Sequence, residues 1–475
     1  MSLLLLEQTN KLYEHGKLKL SNDNGDLQSR KAEIGLKVEE PLQSILRRLV
    51  RGKLKPSNNN GDLQSRKAEK GLKAEEPLQF ILRRLVRGND RIQLDDTGFS
   101  CHSDLHSDVC LASKPVMLDN KASRLFLPFA EAQANRTVRP YARKGDETAM
   151  QAVTPVQIYQ GTNTNTPRPA CDFNHSVPAV IFSSGGFTGN LFHEFNEVVI
   201  PLFITCRHFR SRLKFVITDF KPWWAAKYNR ILSHLSGYDV INPAENGSVH
   251  CFPGAVVGLK YHGNLALNST DIPGGYSMFE FRHFLRQVYN LKVTNVSKTK
   301  KPVLILVSRS KSRKFLNEDE MEEMMGELGF EVIVVMPSRM ANLDKFSGLL
   351  NLCSVLVGAH GAGLTNAVFL PSGAVVVQVV PLGLDWAANA YYRIPATEMG
   401  LKYLEYKVDP DESSLLAAYG SDHPVITDPV SIFSNGYEAA RAVYVDEQNL
   451  KINLVRFRET MTRAMELLGR STPLK

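Results

Sequence analysis

Long apolar runs are missing from this chain of 475 residues. Even an aliphatic stretch such as Val375–Val380 is short and interrupted, by Gln378, whereas a membrane-spanning helix needs about 20 apolar residues. No transmembrane segment is expected. The opening Leu3–Leu6 lacks the basic start and the longer apolar core of a signal peptide. Gly-Lys-Ser/Thr is absent, which excludes a P-loop, and no His-Glu-x-x-His occurs, which disfavours a zinc protease. Tryptophan is scarce, at three residues, and cysteine stands at six. With 43% apolar and 22% charged residues, the composition is that of a globular protein with room for about three domains, not a fibrous or disordered chain.

Excess charge is confined to one end. The formal net charge is +8, of which residues 1–91 carry +7, leaving the remaining 384 residues nearly neutral. This basic arm is a tandem duplication: residues 17–52 and 53–88 agree at 31 of 36 positions. Each copy ends in a short helical pattern opened by Pro41 or Pro77. Leu42, Ile45, Leu46 and Leu49 form an apolar stripe, repeated as Leu78, Ile81, Leu82 and Leu85. Such a helix has two readings, contact with an anionic surface or a marginally helical extension. The near-neutral body and the lack of aromatic residues interleaved with the basic ones argue against a nucleic-acid partner.

Cys101, His102, His106 and Cys110 are the nearest approach to a metal cluster, and the same stretch also suits a disulfide. Cys206 and Cys353 lie in apolar surroundings and read as buried thiols. Acceptor triplets for N-glycosylation occur at Asn135, Asn174, Asn246, Asn268 and Asn295, which fits a lumenal protein.

Residues 92–176 form a turn-rich, Cys-containing lead-in. From Val177 the pattern is α/β. Strands are expected at Ala179–Phe182, Leu213–Ile217, Tyr238–Ile241 and Ala255–Gly258, with helices at Asn190–Phe203, Ala225–Leu235 and Tyr276–Tyr289. A second unit starts after a Lys-rich junction. Its strands are Val303–Val307, Glu331–Val335, Val355–Val357 and Ala374–Val380, with helices at Glu318–Leu328 and Leu343–Leu350. The expected domains are 177–295 and 296–399, followed by a tail, 400–475, with a closing helix Leu454–Leu468. Two such units form a cleft lined by strand ends.

Three constellations carry chemistry. Val357–Ala367 reads VGAHGAGLTNA: His360 is a phosphate donor, and Gly361, Ala362, Gly363, Thr365 and Asn366 form a tight turn opening a helix. Arg309 and Arg313 follow the strand Val303–Val307, where they can clamp a diphosphate. His193 and Glu197, four apart on a helix, suit general-base work on a hydroxyl, although a packed core histidine is the competing reading. Trp223, Trp224 and Trp386 can stack on a sugar or a base, or simply pack. Asp409-Pro410-Asp411 is the only Asp-x-Asp and sits in a loop, which discounts it as a metal site.

The blocks GNLFHEFNEVVIPLF (189–203), WWAAKYNRILSHLSGYDVIN (223–242), HCFPGAVVGLKYH (250–262), LVSRSKSRKFLNEDE (306–320), VLVGAHGAGLTNAVFLPSGAVVVQVVP (355–381) and LDWAANAYYRIPATEMGLKYLEY (384–406) resemble plant family 61 glycosyltransferases. The resemblance implies a GT-B-like pair of Rossmann-type domains and an inverting, metal-independent enzyme of the Golgi lumen. The acceptor would sit on the N-terminal unit and the nucleotide sugar on the C-terminal one. It implies that Arg309, Arg313, His360 and Gly361–Asn366 surround the donor diphosphate and that His193 and Glu197 form the base region. Members of the family often have Asp where this chain has Glu197. The xylan-modifying branch is the better match, with UDP-xylose or UDP-arabinofuranose as donor, xylan as acceptor and a polysaccharide-synthase complex as setting. The alternatives are a β1,2-xylosyltransferase of N-glycan cores and an inactive scaffold. The family usually begins with a membrane anchor, where this chain has its duplicated arm.

Overall fold

The structure, a computed structural model, describes residues 76–129, 135–161, 170–245, 247–272, 274–298, 301–340 and 342–470. From Pro77 onward these form one compact unit. The first repeat copy, most of the second, and Asn246 lie outside the described residues.

After the helices Leu78–Arg83 and Gly88–Thr97 comes a hairpin of β1 (Phe99–Ser103) and β2 (Asp108–Ala112). It continues through β3 (Val116–Asp119), β4 (Arg124–Leu127), β5 (Arg136–Val138), β6 (Val156–Gln160) and β7 (Phe173–Asn174). Then come β8 (Ala179–Ser183), β9 (Lys214–Thr218), β10 (Val249–Phe252) and β11 (Ala255–Val257). The last set is β12 (Val303–Val307), β13 (Glu331–Val335), β14 (Val355–Ala359), β15 (Val375–Val380) and β16 (Lys402–Lys407). Three sheets result, ordered β1-β2-β11-β8-β9, β5-β6-β4-β3-β10-β7 and β13-β12-β14-β15-β16. The third is parallel throughout, and β11, β8 and β9 are parallel in the first. The protein is a mixed α/β structure.

Topology marks where a ligand belongs. From β12 the chain steps to β13 on one side, and from β14 to β15 on the other, so neighbours β12 and β14 flank a switch point. Connections that diverge in this way leave a crevice at the carboxyl ends of the strands.

Both faces of the third sheet are covered, as its nearly unbroken aliphatic strands require. Leu304, Leu306, Val355 and Val357 pack on Met321, Met325, Phe457 and Met461. Ile305, Val307, Leu356 and Val376 share one continuous core with Val180, Phe182, Phe215 and Ile217 of the first sheet. Arg282, on the helix Met278–Tyr289, is 1% exposed and donates to the carbonyls of Val368, Leu370 and Met399. That helix starts with a capping box, Ser277 with Glu280.

Several elements differ from expectation. The lead-in contributes five strands of a six-stranded sheet, completed by β10, and these strands are only two to five residues long, too brief for a periodic signal. Tyr238–Ile241 forms no strand; only Ile241 bridges, to Val216. The helix expected over Ala225–Leu235 is two, Pro222–Lys227 and Asn229–Leu235. The helical pattern of the second copy, Leu78–Arg83, is neither solvated nor marginal: Leu82, Leu85 and Val86 are at most 3% exposed within the main core. Burial of the stripe supplies the stability that six residues lack alone. Gly254 makes room for it, since a Cβ there would lie 2.6 Å from Leu78 Cδ2.

Cys101 pairs with Cys110 across the β1–β2 hairpin, and Cys171 with Cys251. The metal reading of the first pair falls away, because the disulfide consumes both thiols; His102 Nδ1 lies 2.7 Å from Asp90. Among the described residues no group of three or more His, Cys, Asp or Glu is arranged to hold a metal, and no helix is long and apolar enough to cross a membrane. Cys206 and Cys353 are free and buried, and burial pushes both thiols upward. Asn135, Asn174 and Asn268 are exposed and Asn295 is half-buried.

Candidate functional site

A cavity of about 220 Å³ opens at the β12/β14 switch point. Its floor comes from the two loops that leave these strands. Arg309 and Arg313 arrive on one, His360, Gly361 and Ala362 on the other. Arg309 is steered by a 2.7 Å bond from its Nε to the Ser312 carbonyl. Arg313 adopts a left-handed φ of 53°, an uncommon conformation for a side chain of its size. Its own N–H is held by the Gln448 carbonyl at 2.5 Å, and its Nη1 donates to the His360 carbonyl at 2.7 Å.

Gly361 takes a φ of 148°, a backbone conformation that favours glycine. A Cβ at this position would stand 2.7 Å from Nη1 of Arg309 and 3.1 Å from Nη1 of Arg313. The two guanidinium groups therefore converge on one backbone turn. No carboxylate pairs with either among the described residues. Asp446, which acts on Arg313 over a longer distance, is engaged with Arg441 at 3.2 Å. Burial lowers both, and Arg309 adds to the effect on Arg313, which falls to about 10; both stay charged at neutral pH. Arg313 Nε is buried without an acceptor. Two concentrated cations with spare donors can hold an anion.

His360 contributes differently. It is 7% exposed, and burial, followed by repulsion from Arg313 and Arg309, lowers its pKa to about 3. The ring is neutral. Gln378 explains its orientation: its carbonyl accepts from Tyr403 Oη at 3.0 Å, so its amide nitrogen donates to His360 Nδ1 at 2.7 Å. The ring proton is then on Nε2, available as a donor. The polar break in the β15 apolar run thus sets a tautomer.

The rest of the turn does not face the cavity. Gly363 packs against Val307, Thr365 lies 3.4 Å from Tyr392 Oη, and Asn366 donates to the Gly363 carbonyl at 2.8 Å. Thr365 and Asn366 are 1% exposed. They hold the shape of the turn from behind, together with Tyr392, which donates to the Gly361 carbonyl at 2.8 Å. Trp386, Tyr391, Phe433 and Tyr437 line the opposite wall, and the Trp386 indole N–H is buried without an acceptor. Trp224 is a core residue and Trp223 is 49% exposed.

The helix after β8 builds the second half. Asn190 caps it by accepting from the Phe192 N–H at 3.0 Å. A π-helical segment, Glu194–Val199, interrupts it before Ile200–Cys206, and such bulges recur at functional sites. His193 Nδ1 lies 2.7 Å from Glu197 Oε1. Glu197 is fully buried and also accepts from Arg143 Nη1 at 2.6 Å and Tyr141 Oη at 2.5 Å. Glu194, on the opposite side, is tied to Lys227 and Tyr228 at 2.5 and 2.6 Å and is structural. The halves adjoin through aromatic rings: Phe192 lies 5.4 Å from His193 and 5.0 Å from Tyr391, which is 6.4 Å from His360.

Sequence reasoning singled out Arg309, Arg313, His360, Gly361 and Ala362, which line the cavity, and His193 and Glu197, which do not line it and adjoin it through Phe192. It passed over Tyr141 and Arg143, which come from the turn-rich lead-in. The segment Tyr141-Ala-Arg-Lys144 carries no spacing that announces its role.

The glycosyltransferase 61 family model matches residues 191–377, which contain His193, Glu197, Arg309, Arg313 and His360. The chain is 39% identical over 376 residues to the α-1,3-arabinosyltransferase XAT3 of Oryza sativa subsp. japonica, covering 77% of this chain and 65% of that protein. It is 34% identical over 395 residues to the xylan glycosyltransferase MUCI21 of Arabidopsis thaliana, covering 78% and 79%. With the rice β-1,2-xylosyltransferase XYXT1 the identity is 33% over 390 residues, covering 77% and 83%. The chain belongs to glycosyltransferase family 61. It spans just under two thirds of the length of XAT3 and of the related rice arabinosyltransferase XAT2.

Proposed function

We propose that the protein transfers a pentose from a UDP-sugar to a xylan-type acceptor, with inversion at the sugar. The observation that carries this reading is the pair Arg309 and Arg313, converging on Gly361 without a carboxylate. A diphosphate satisfies both, and the His360 N–H adds a neutral donor. The acceptor hydroxyl loses its proton on the His193 side as its oxygen forms the new bond to the anomeric carbon. The bond from that carbon to the diphosphate oxygen breaks, and its electron pair leaves with UDP, where the two guanidinium groups stabilise it. Xylan and the pentose donor are supported by the named activities of the relatives.

In this reading residues 177–295 bind the acceptor and 296–399 the donor in a GT-B-like arrangement, closed by 400–475. A Golgi-lumenal setting accords with the two disulfides and the exposed glycosylation triplets. The test is the full chain with UDP-xylose or UDP-arabinofuranose and xylohexaose, with products resolved by linkage and anomeric configuration. Absence of both product and UDP binding would overturn the reading.

A further inference from the structure

Glu197 looks like a base in sequence, yet it has no free edge. Its Oε1 takes Arg143 Nη1 and His193 Nδ1, and its Oε2 takes the Tyr141 hydroxyl. An acceptor sugar cannot approach a carboxylate that is fully buried and holds three donors. The His193 side chain is 19% exposed, and with Nδ1 consumed its Nε2 is the nitrogen left to meet a hydroxyl.

The clamp is itself assembled with care for geometry. Tyr141 reaches Glu197 because Gly186, at φ 56°, leaves space: a Cβ there would lie 2.4 Å from Tyr141 Cζ. The Tyr141 oxygen accepts the Phe187 N–H at 3.3 Å, which leaves its proton for Glu197. Burial, then the Glu197 charge, raises the Tyr141 hydroxyl well above its ordinary value, so it remains a donor. Arg143 spans two carboxylates, Glu197 and Asp146, the latter at 3.0 Å from Nε. Burial opposes the Arg143 charge, but the two carboxylates more than offset it and raise the guanidinium above its usual range.

We propose that Arg143 and Tyr141 are positioning residues that fix Glu197 as a charged anchor, so that His193, and not Glu197, accepts the proton of the sugar hydroxyl. This rests on the glycosyl-transfer reading for the hydroxyl, but the clamp is a property of the protein alone. The proton moves from the hydroxyl to His193 Nε2, the Nδ1 proton stays between His193 and Glu197, and the imidazolium is balanced by the net negative charge of Glu197, Arg143 and Asp146. The groups facing His193 are Glu197 on its own helix, Arg143 and Tyr141 from the lead-in, and the rings of Phe187 and Phe192. Farther out, Glu197 and Arg143 both act on Tyr261, and Arg143 acts on Tyr391 and His106.

The experiment follows the imidazole NMR signals of His193 with pH in the full chain without sugar, assigned by their loss in His193→Asn. In Arg143→Met the neutralising cation is gone, and the signals should titrate about one pH unit higher than in the wild type. Arg143→Lys should restore the wild-type midpoint. Tyr141→Phe, which removes one hydrogen bond and no charge, should shift it upward by less; it decides the matter if Arg143→Met does not fold. The acid limb of kcat should move with the midpoint, while UDP affinity stays within about twofold. An unchanged midpoint in a folded Arg143→Met, or in Tyr141→Phe if that variant alone folds, overturns the proposal. Wild-type protein without turnover would instead overturn the glycosyl-transfer reading and leave the titration standing.

Discussion

Gln378 donates its amide N–H to His360 Nδ1 at 2.7 Å and so presents a neutral imidazole N–H to the cavity. Gln378→Leu removes that control and strands His360 Nδ1, while Tyr403 Oη keeps only Glu405 as an acceptor, at 3.4 Å. Leaving a buried polar group unsatisfied costs about 1–3 kcal/mol. The variant should melt lower and bind UDP several-fold more weakly by calorimetry, with kcat per bound donor changed less than affinity.

Arg313→Ala deletes a charged donor and also releases the His360 carbonyl. Hydrogen bonds to charged groups contribute about 1.5–3 kcal/mol each. UDP affinity should fall by about one to two orders of magnitude. Lys311, which is exposed, should tolerate the same substitution with affinity unchanged.

Two buried histidines set a pH dependence. Burial lowers His262 to about 4, and burial with the two arginines lowers His360 to about 3. Both values lie below that of an unfolded histidine, so the unfolded chain binds more protons as pH falls beneath about 6.5. Stability from these groups is complete above that pH and declines as pH drops toward 4. Each should remove up to about 2 kcal/mol between pH 7 and pH 5, read as a lower urea midpoint. In His262→Gln the decline should be shallower.

The strap Leu78–Val86 makes the duplication testable. Leu82 is completely buried, and Leu82→Asp should destabilise the protein by several kcal/mol, since it buries an unpaired charge. Deleting residues 53–88 joins Gly52 to Asn89 and brings Leu42, Leu46, Leu49 and Val50 into the corresponding positions. That variant should melt close to the wild type, whereas deletion of 17–88 should lower the melting temperature markedly.

The parallel sheet was legible because its strands are buried on both faces and read as short aliphatic runs between helical segments. Val303–Val307 and Glu331–Val335 match residue for residue. Arg309, Arg313 and His360 could be found because strand, turn and basic or glycine residues follow one another locally. The six-stranded sheet could not, because two- to five-residue strands joined over distances such as β3 to β10 leave no local period. Arg143 escaped for a related reason: its partner Glu197 is 54 residues away. Phe80, the strap position where the two copies differ, is 52% exposed, which is why the repeat could drift there.

Arg282 bears on how a substrate enters. Its guanidinium, projecting from a helix ahead of the third sheet, is surrounded by three carbonyls that follow β14 and precede β16. Swinging one sheet away from the other as rigid jaws would tear those bonds out of a dry interior and split a shared core. Depriving a buried charge of its partners costs several kcal/mol. A wide hinge motion is thereby penalised, and admission to the cavity falls to its rim.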